Sequence, residues 1–209
     1  MNTPVTDYIF NHLDSESSVL NELYRYTNLN VLYPGMISGH EQGRLLSMIS
    51  QMIKPEQILE IGTFTGYSAI CLAEGLNAKG HLHTIEQNDE IAEIASAFFE
   101  KAGLAEQITL YIGDTLEIVP TFDICFDLVF IDAAKNHYLD YYHAVFDKVR
   151  TGGYILADNI LWYNKVADFS IQDETTNNLR EFNDFVSNDV RVEKAIVQNR
   201  DGLFVLRKK

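Results

Sequence analysis

The feature that most constrains the fold is a regular alternation, from about residue 54 onwards, of short apolar runs with segments of helical spacing. The runs are 58–61, 81–86, 108–113, 126–132 and 153–159, and a glycine or a carboxylate lies at the end of each. Buried parallel strands have this near-continuous apolar character, and the helices between them cover both faces of the sheet. The sequence therefore predicts an α/β fold with a doubly wound, mostly parallel sheet.

The remaining segments complete this architecture. Helical spacing is found near 89–102, 138–149 and 175–186, with a short helix after the third run. The last two runs, 192–198 and 203–209, flank Asn199-Arg200-Asp201-Gly202 and predict an antiparallel hairpin. Segment 4–53 predicts two or three helices, the last with Ser38 as N-cap and Glu41 three residues later.

Length and composition predict a single-domain cytoplasmic protein. At 209 residues it is expected to be a single domain, with an N-terminal helical cap over 1–53 and a core over 54–209. It has no basic and apolar leader and no run of about 18 apolar residues, so we expect a cytoplasmic protein without a membrane segment. Cys71 and Cys125 stand in apolar surroundings without metal-binding spacing, which predicts reduced core thiols.

The charge balance bears on the partners of the protein. Sixteen Lys and Arg residues against thirty Asp and Glu residues give a formal net charge of −14. Such a chain on average repels phosphate backbones and anionic membranes. The composition therefore argues against a nucleic-acid or membrane partner, although it does not locate the charges.

The first strand-to-helix turn indicates the kind of ligand. Dinucleotide-binding folds have G-x-G-x-x-G at this turn, and the second glycine lets the backbone approach a pyrophosphate. Here Gly62 and Gly66 frame Phe64, and Glu60 precedes them. A bulky side chain and a nearby carboxylate favour a cationic or zwitterionic nucleoside such as S-adenosylmethionine, the alternative being a tight turn without a ligand. Glu86 ends the second strand, where a carboxylate binds the ribose of either S-adenosylmethionine or NAD.

Oxygen-bearing side chains also follow the fourth and fifth strands. Asp132 ends one run, and Asp158 and Asn159 end the next. Neighbouring parallel strands bring their carboxyl ends together, so two carboxylates and an amide oxygen predict a site for Mg²⁺, Ca²⁺ or Mn²⁺, the alternative being an ordinary Asp-Asn turn. Lys135 would overhang this site with a lowered pKa and act as a base, unless it is a solvated surface lysine.

The ordered motifs resemble those of a known family. ILEIGTFTGYSAICLAEGL, HTIEQND, GDT, FDLVFIDAAKNHYLDYY, GGYILADNILWYNKV and NRDGLFVLRKK are similar to motifs of the cation-dependent class I O-methyltransferases. These are the catechol and caffeoyl-coenzyme A O-methyltransferase-like enzymes, bacterial members included. The resemblance runs from about Met36 to the C-terminus. It implies a Rossmann-like sheet closed by an antiparallel hairpin, S-adenosylmethionine as cofactor, a divalent cation and a homodimer.

The resemblance also implies roles for single residues. The cofactor contacts would come from a lid residue, the glycine loop and the strand ends: Met36, Glu60, Gly62, Ser68, Glu86, Asp114, Thr115 and Asp132. Asp132, Asp158 and Asn159 would hold the metal, and Lys135 would be the base. Trp162 corresponds to a position that often packs on the acceptor ring, and acceptor contacts are expected from 1–37 and 162–176.

One departure keeps a second acceptor open. Plant-like members usually have Asp-Ala-Asp-Lys, whereas this chain has Ala134 before Lys135 and His137 before Tyr138, a form closer to some bacterial members. The resemblance thus implies a small hydroxylated aromatic acceptor, with hydroxyuridine in transfer RNA as the alternative. A nucleotide- or NAD-binding protein without methyl transfer is a third hypothesis, disfavoured by Phe64 and by the three predicted metal ligands.

Overall fold

The protein is described by a computed structural model over residues 4–209. Its strands are Gln57–Ile61 (β1), His81–Glu86 (β2), Ile108–Ile112 (β3), Phe126–Ile131 (β4), Val149–Ala157 (β5), Val192–Val197 (β6) and Leu203–Lys208 (β7). They form one sheet in the order β3-β2-β1-β4-β5-β7-β6. Strands β1 to β5 are parallel, and β7 is antiparallel to both β5 and β6. The predicted α/β fold with a closing hairpin is confirmed.

Helices cover both faces of this sheet. They are Pro4–Phe10 (α1), Ser18–Asn30 (α2), Gly39–Ile53 (α3), Tyr67–Ala73 (α4), Asp89–Lys101 (α5), Thr115–Ile118 (α6), Tyr138–Phe146 (α7) and Glu174–Asn188 (α8). No helix within residues 4–209 is long and apolar enough to cross a membrane.

Alternation along β1 divides the core between the two faces. Leu59 and Ile61 pack with residues of α7 and α8, whereas Ile58 packs on the other side. Leu23 and Leu46 from the N-terminal helices belong to that second cluster. Full burial of such a side chain stabilises the fold by roughly 1.5–3 kcal/mol. Helices α2 and α3 thus form one layer of the same core.

The strand order reverses between β1 and β4, which opens a crevice at their carboxyl ends. The backbones approach closely there, because Asp132 donates its N–H to the carbonyl oxygen of Ile61 at 2.9 Å. Gly62 has φ 98°, and a Cβ at this position would overlap the carbonyl group of Asp132. The glycine is therefore required by both its conformation and this contact.

Two local predictions are wrong and a third is confirmed only in part. Ser38 is the N-cap residue of α3, as predicted, but its backbone is helical and its side chain makes no capping bond. The helix predicted over 138–149 ends at Phe146, because Val149 already pairs with Phe126 and starts β5 before a bulge that precedes Tyr154. Both cysteines are free, and Cys71 is buried as predicted, but Cys125 is exposed in the turn before β4.

Candidate active site

A cleft of about 960 Å³ lies over the carboxyl ends of the strands. Its walls include the glycine loop (62–66), an entrance segment before α3 (33–38) and part of the loop that follows β5 (158–164, the post-β5 loop). Eight predicted site residues line it: Met36, Gly62, Ser68, Glu86, Asp114, Thr115, Asp132 and Lys135. Glu60, Asp158 and Asn159 are not among the lining residues. The structure thus brings most of the predicted set together.

The glycine loop is tied to the end of β2 through its backbone. Phe64 has φ 47°, and its N–H donates to Glu86 Oε2 at 2.8 Å. Glu86 Oε1 accepts from the backbone N–H groups of Gln87 and Asn88, both at 3.0 Å. The loop N–H that a pyrophosphate site would direct at phosphate is therefore used by a carboxylate. This arrangement disfavours a dinucleotide and leaves Glu86 lone pairs for hydroxyl donors.

Glu60 lies beneath the cleft and is fully buried. The Thr84 hydroxyl donates to Glu60 Oε2 at 2.6 Å, and Thr63 contacts that hydroxyl at 2.5 Å. Glu60 Oε1 has no hydrogen-bond partner among the described residues. Burial raises the pKa of Glu60 to about 8, the hydroxyls of Ser68 and Thr84 oppose this rise, and the charge of Asp132 adds to it. Such a carboxyl group fits a site that receives a positively charged ligand.

Three more predicted contact residues, at two positions, line the cleft. Asp114 caps α6, accepting from the Leu116 N–H at 2.7 Å, and Thr115 is buried beside it. Met36 ends the 3-10 turn Pro34–Met36 and is 57% exposed, so its side chain is available to a ligand. The two positions bound the same cleft from the β3 end and from the N-terminal helices.

Lys135 forms an ion pair with Asp132, with 2.7 Å between Nζ and Oδ1. Both side chains are largely buried, at 13% and 17% exposure. Burial lowers the pKa of Lys135, but the neighbouring Tyr138 and Asp132 raise it by more, so the pKa lies above its usual value. The expected lowered pKa is therefore not found in this arrangement, because Asp132 stabilises the ammonium form.

The second predicted carboxylate follows β5. Asp158 is buried, and its N–H donates to the Ile131 carbonyl at 3.0 Å. The Tyr138 hydroxyl donates to the Asp158 carbonyl at 2.9 Å and fixes the ends of β4 and β5 together. Burial and then the charge of Asp132 raise the pKa of Asp158 to about 6. The adjacent Asn159 has φ 57°, a left-handed conformation that asparagine tolerates.

The donor set suits a hard divalent cation, which binds oxygen ligands. Burial, and then the negative charge of Asp132, raise the pKa of Asp158, and a positive charge bound between the two carboxylates would oppose that rise. No group of three or more His, Cys, Asp and Glu side chains within residues 4–209 is arranged to hold a metal. The predicted triad has only two such side chains, with the Asn159 amide as the third donor.

Further residues line the cleft. Tyr33, Tyr163 and Thr175 belong to the segments 1–37 and 162–176 from which acceptor contacts are expected, whereas sequence reasoning did not assign His137 and Tyr141 to the site. Periodicity gave no signal for the last two, since His137 lies in a turn and Tyr141 fits the helical spacing of α7. The predicted Trp162 lines the cleft as well, and its buried Nε1 has no hydrogen-bond partner among the described residues. For the expected acceptor segment 1–37, the first three residues lie outside the described residues.

Known proteins resemble this chain over most of its length. A model of an O-methyltransferase family matches residues 11–209. Identity is 33% over 187 residues to a caffeoyl-CoA O-methyltransferase of Populus kitakamiensis, covering 83% of this chain and 79% of that protein. A catechol O-methyltransferase of Niastella koreensis is 31% identical over 169 residues, covering 79% and 76%. The O-methyltransferase TomG of Streptomyces achromogenes, solved in complex with SAM, has a TM-score of 0.92 at 29% identity, covering 98% and 96%.

Proposed function

Because this chain belongs to the O-methyltransferase family, we propose that it transfers the methyl group of S-adenosylmethionine to a hydroxyl of a catechol-like small molecule, using a divalent cation. One observation carries the proposal: Glu86 and the ion pair of Asp132 with Lys135 line the same cleft. In the reaction, the acceptor oxygen attacks the methyl carbon, the carbon–sulfur bond breaks, and the hydroxyl proton goes to a base.

Several carboxyl groups support the cofactor assignment. Glu60, Glu86 and Asp132 lie close enough that the charges of the last two raise the pKa of the first. A ligand with a positive sulfonium and ammonium group would offset this repulsion, whereas a pyrophosphate would add to it. We assign Glu86 to the ribose hydroxyls, Asp114 and Thr115 to the adenine, and the remaining predicted contacts to the methionyl part: Met36, Glu60, Gly62, Ser68 and Asp132.

Asp132, Asp158 and Asn159 are our proposed cation ligands. When bound, a divalent cation lowers the pKa of a hydroxyl that it contacts. The protein holds the donors in place through the Tyr138 hydroxyl bond to the Asp158 carbonyl. We expect EDTA to abolish turnover and Mg²⁺ or Mn²⁺ to restore it. Asp158→Ala should lose turnover while it still binds S-adenosylmethionine in calorimetry, and full turnover in metal-free buffer would contradict the assignment.

Lys135 is our proposed base for the acceptor proton. Lys135 lines the cleft wall together with Asp132, where an acceptor beside Asp132 would lie. A base needs a neutral amine, and the ion pair with Asp132 favours the ammonium. Lys135 can act as the base once its pair with Asp132 opens, and a cation bound to Asp132 would favour the neutral amine by its positive charge.

The charges of the cleft favour a small acceptor over a polyanionic one. Lys135 is the only lysine or arginine among the described residues that line the cleft, and it is already paired. In the expected acceptor segments, Arg25 is the only lysine or arginine of 1–37, and Lys165 is the only one of 162–176. The phosphates of a coenzyme A ester or of transfer RNA would need more basic contacts than these two residues supply.

Mass spectrometry of the products tests the proposal directly. The protein is incubated with S-adenosylmethionine, Mg²⁺ and, separately, catechol, caffeoyl-CoA or transfer RNA. We expect methylated catechol and the demethylated cofactor in equal amounts. Methylation of transfer RNA alone, together with a gel shift that persists at moderate salt, would favour the alternative acceptor. Absence of methyl transfer to all three acceptors would contradict the catechol-like class.

We also propose a homodimer, which apolar side chains exposed on the N-terminal helices and the segment that follows them support. Tyr8, Leu29, Leu32 and Met52 are each more than 60% exposed. Large exposed apolar side chains are common where proteins associate. Light scattering at several concentrations should give twice the mass of 23.8 kDa, and Leu32→Glu should shift the equilibrium towards the monomer.

A further inference from the structure

The turn of the C-terminal hairpin (199–202, the hairpin turn) touches two separate walls of the cleft. It lies between β6 and β7 and is closed by the Gly202 N–H, which donates to the Asn199 carbonyl at 2.8 Å. Its side chains and carbonyls contact both the entrance segment and the post-β5 loop. The sequence motif NRDG is therefore more than a strand connection.

Arg200 holds the first wall. Its Nη1 donates to the carbonyl oxygens of Ile37, at 3.1 Å, and of Ser38, and to Gln42 Oε1 at 2.9 Å. Ile37 and Ser38 belong to the entrance segment and line the cleft. These carbonyls precede α3, and the Arg200 guanidinium binds both of them. A residue more than 150 positions away in the chain thus fixes the entrance.

The same turn holds the second wall. The Leu161 N–H donates to the Asp201 carbonyl at 2.9 Å, and the Tyr163 N–H donates to Asp201 Oδ1 at 2.6 Å. Trp162, Tyr163 and Asn164 all have φ between 47° and 63°. Left-handed backbone costs roughly 1–2 kcal/mol per residue without glycine, so this loop needs bonds from outside to keep its conformation. Asp201 supplies two of them.

We propose that Arg200 and Asp201 are positioning residues that clamp the two walls of the acceptor end of the cleft at a fixed separation. This inference rests on the proposed function. Trp162 and Tyr163 line the cleft from one wall and Ile37 and Ser38 from the other, and the hairpin turn bonds to both. The turn therefore sets how an acceptor ring is oriented, and with it which of two neighbouring hydroxyls faces the methyl group.

The regiochemistry of methylation tests the clamp. A dihydroxybenzoate whose two hydroxyls are vicinal gives two monomethyl ethers, and their ratio does not depend on how much enzyme is folded. We expect Asp201→Ala and Arg200→Ala to move this ratio at least threefold towards equality and to lower kcat/KM for the acceptor about 10- to 100-fold. Asp201→Asn keeps an oxygen for the Tyr163 N–H and should restore the wild-type ratio.

Arg207→Ala is the matched control, because Arg207 lies on the same hairpin and pairs with Glu193 at the surface. It should leave the ratio unchanged. Hydrogen exchange of the free enzyme gives a readout that needs no acceptor: 33–38 should exchange faster in Arg200→Ala and 160–164 faster in Asp201→Ala. Exchange equal to that of Arg207→Ala would overturn the clamp. An unchanged ratio and KM with altered exchange would overturn its role in positioning. If the wild type methylates no dihydroxy aromatic, the proposed function fails and the exchange result alone decides whether the clamp exists.

Discussion

At the scale of single residues, Glu86 joins the glycine loop to the proposed ribose site. Three backbone N–H groups hold its carboxylate, and hydrogen bonds to a charged group contribute about 1.5–3 kcal/mol. We predict that Glu86→Gln and Glu86→Ala weaken S-adenosylmethionine binding by roughly 10- to 100-fold, with the alanine variant weaker. Calorimetry measures this, and Glu90→Gln, on the first turn of α5, is the control. Affinity equal to wild type in both variants would contradict the cofactor orientation.

The base assignment also depends on one residue. Lys135→Ala should lower kcat about 10²- to 10⁴-fold with little change in S-adenosylmethionine affinity, if proton transfer limits the rate. Lys135→Arg sharpens the test, because arginine keeps the positive charge beside Asp132 but does not deprotonate in proteins. When kcat is measured as a function of pH, both variants should therefore fall below the wild type by the same factor. An arginine variant with wild-type turnover would show that Lys135 contributes only charge.

Sequence reasoning located the acidic residues of the site because they follow apolar runs, and runs can be recognised without a structure. It did not find the clamp, because Arg200 and Ile37 are far apart in the chain and only the fold brings them together. Sequence reasoning also did not find the ion pair between Lys135 and Asp132, which raises the pKa of Lys135 in the cation-free protein. The lowered pKa expected beside a bound cation stays a prediction.

At the scale of elements, the buried strands were the most predictable parts. β2 has the predicted bounds, and β1, β3 and β4 differ from prediction by a single residue at one end. β5 differs by four residues at its start, where an apolar Val149 continues the helical spacing but pairs with β4 across a bulge. The capping bond predicted for the Ser38 side chain does not form either. The entrance segment is held by Arg200 instead of by a local cap.

The pairing of β2 with its neighbours should be sensitive to acid. His83 contacts the Tyr111 hydroxyl at 3.0 Å and Gln57 Oε1 at 3.1 Å. Burial, and then the charge of His81, lower the pKa of His83 to about 4. The unfolded chain then binds more protons than the native one between about pH 4 and 6.5. The stability that His83 contributes is therefore complete above this window and is lost as the pH falls through it.

Urea unfolding at pH 7 and 4.5 measures this effect. Between these values the wild type should lose about 2 kcal/mol more than His83→Gln, which does not titrate. His12→Gln, at an exposed histidine of the N-terminal segment, should behave as the wild type. The readout is the difference between the two pH values, so a general destabilisation by the substitution does not affect it. The same pH dependence in wild type and His83→Gln would contradict the role of His83.

At the scale of the whole molecule, the protein has a net charge of −14, and two of its carboxyl groups, those of Glu60 and Asp158, are buried under the cleft. Burial raises the pKa of Glu60 to about 8 and that of Asp158 to about 6. In the native state these groups keep protons that the unfolded chain has already released. Their contribution to stability is therefore present at low pH and is lost as the pH rises through about 6 and then about 8. A positively charged ligand favours the ionised forms and should oppose this loss.

Ligand-induced changes in Tm at two pH values test this coupling of the cleft to the fold. A ligand at 100 times its Kd stabilises the native state by about 2.7 kcal/mol, which corresponds to a rise in Tm of about 5–10 °C for a chain of this size. We predict such a rise with S-adenosylmethionine and none with NAD. At one fixed cofactor concentration, the cofactor-induced rise in Tm should be larger at pH 8.5 than at pH 6. At pH 8.5 the buried carboxyl groups of the ligand-free protein are ionised and destabilise it, and the positively charged cofactor offsets this destabilisation. Glu60→Gln, which has no proton to release, should reduce that difference, and it should raise the Tm of the ligand-free protein at pH 8.5. An equal rise at both pH values in the wild type, or a rise with NAD, would contradict a cleft whose buried carboxyl groups bind a cationic cofactor.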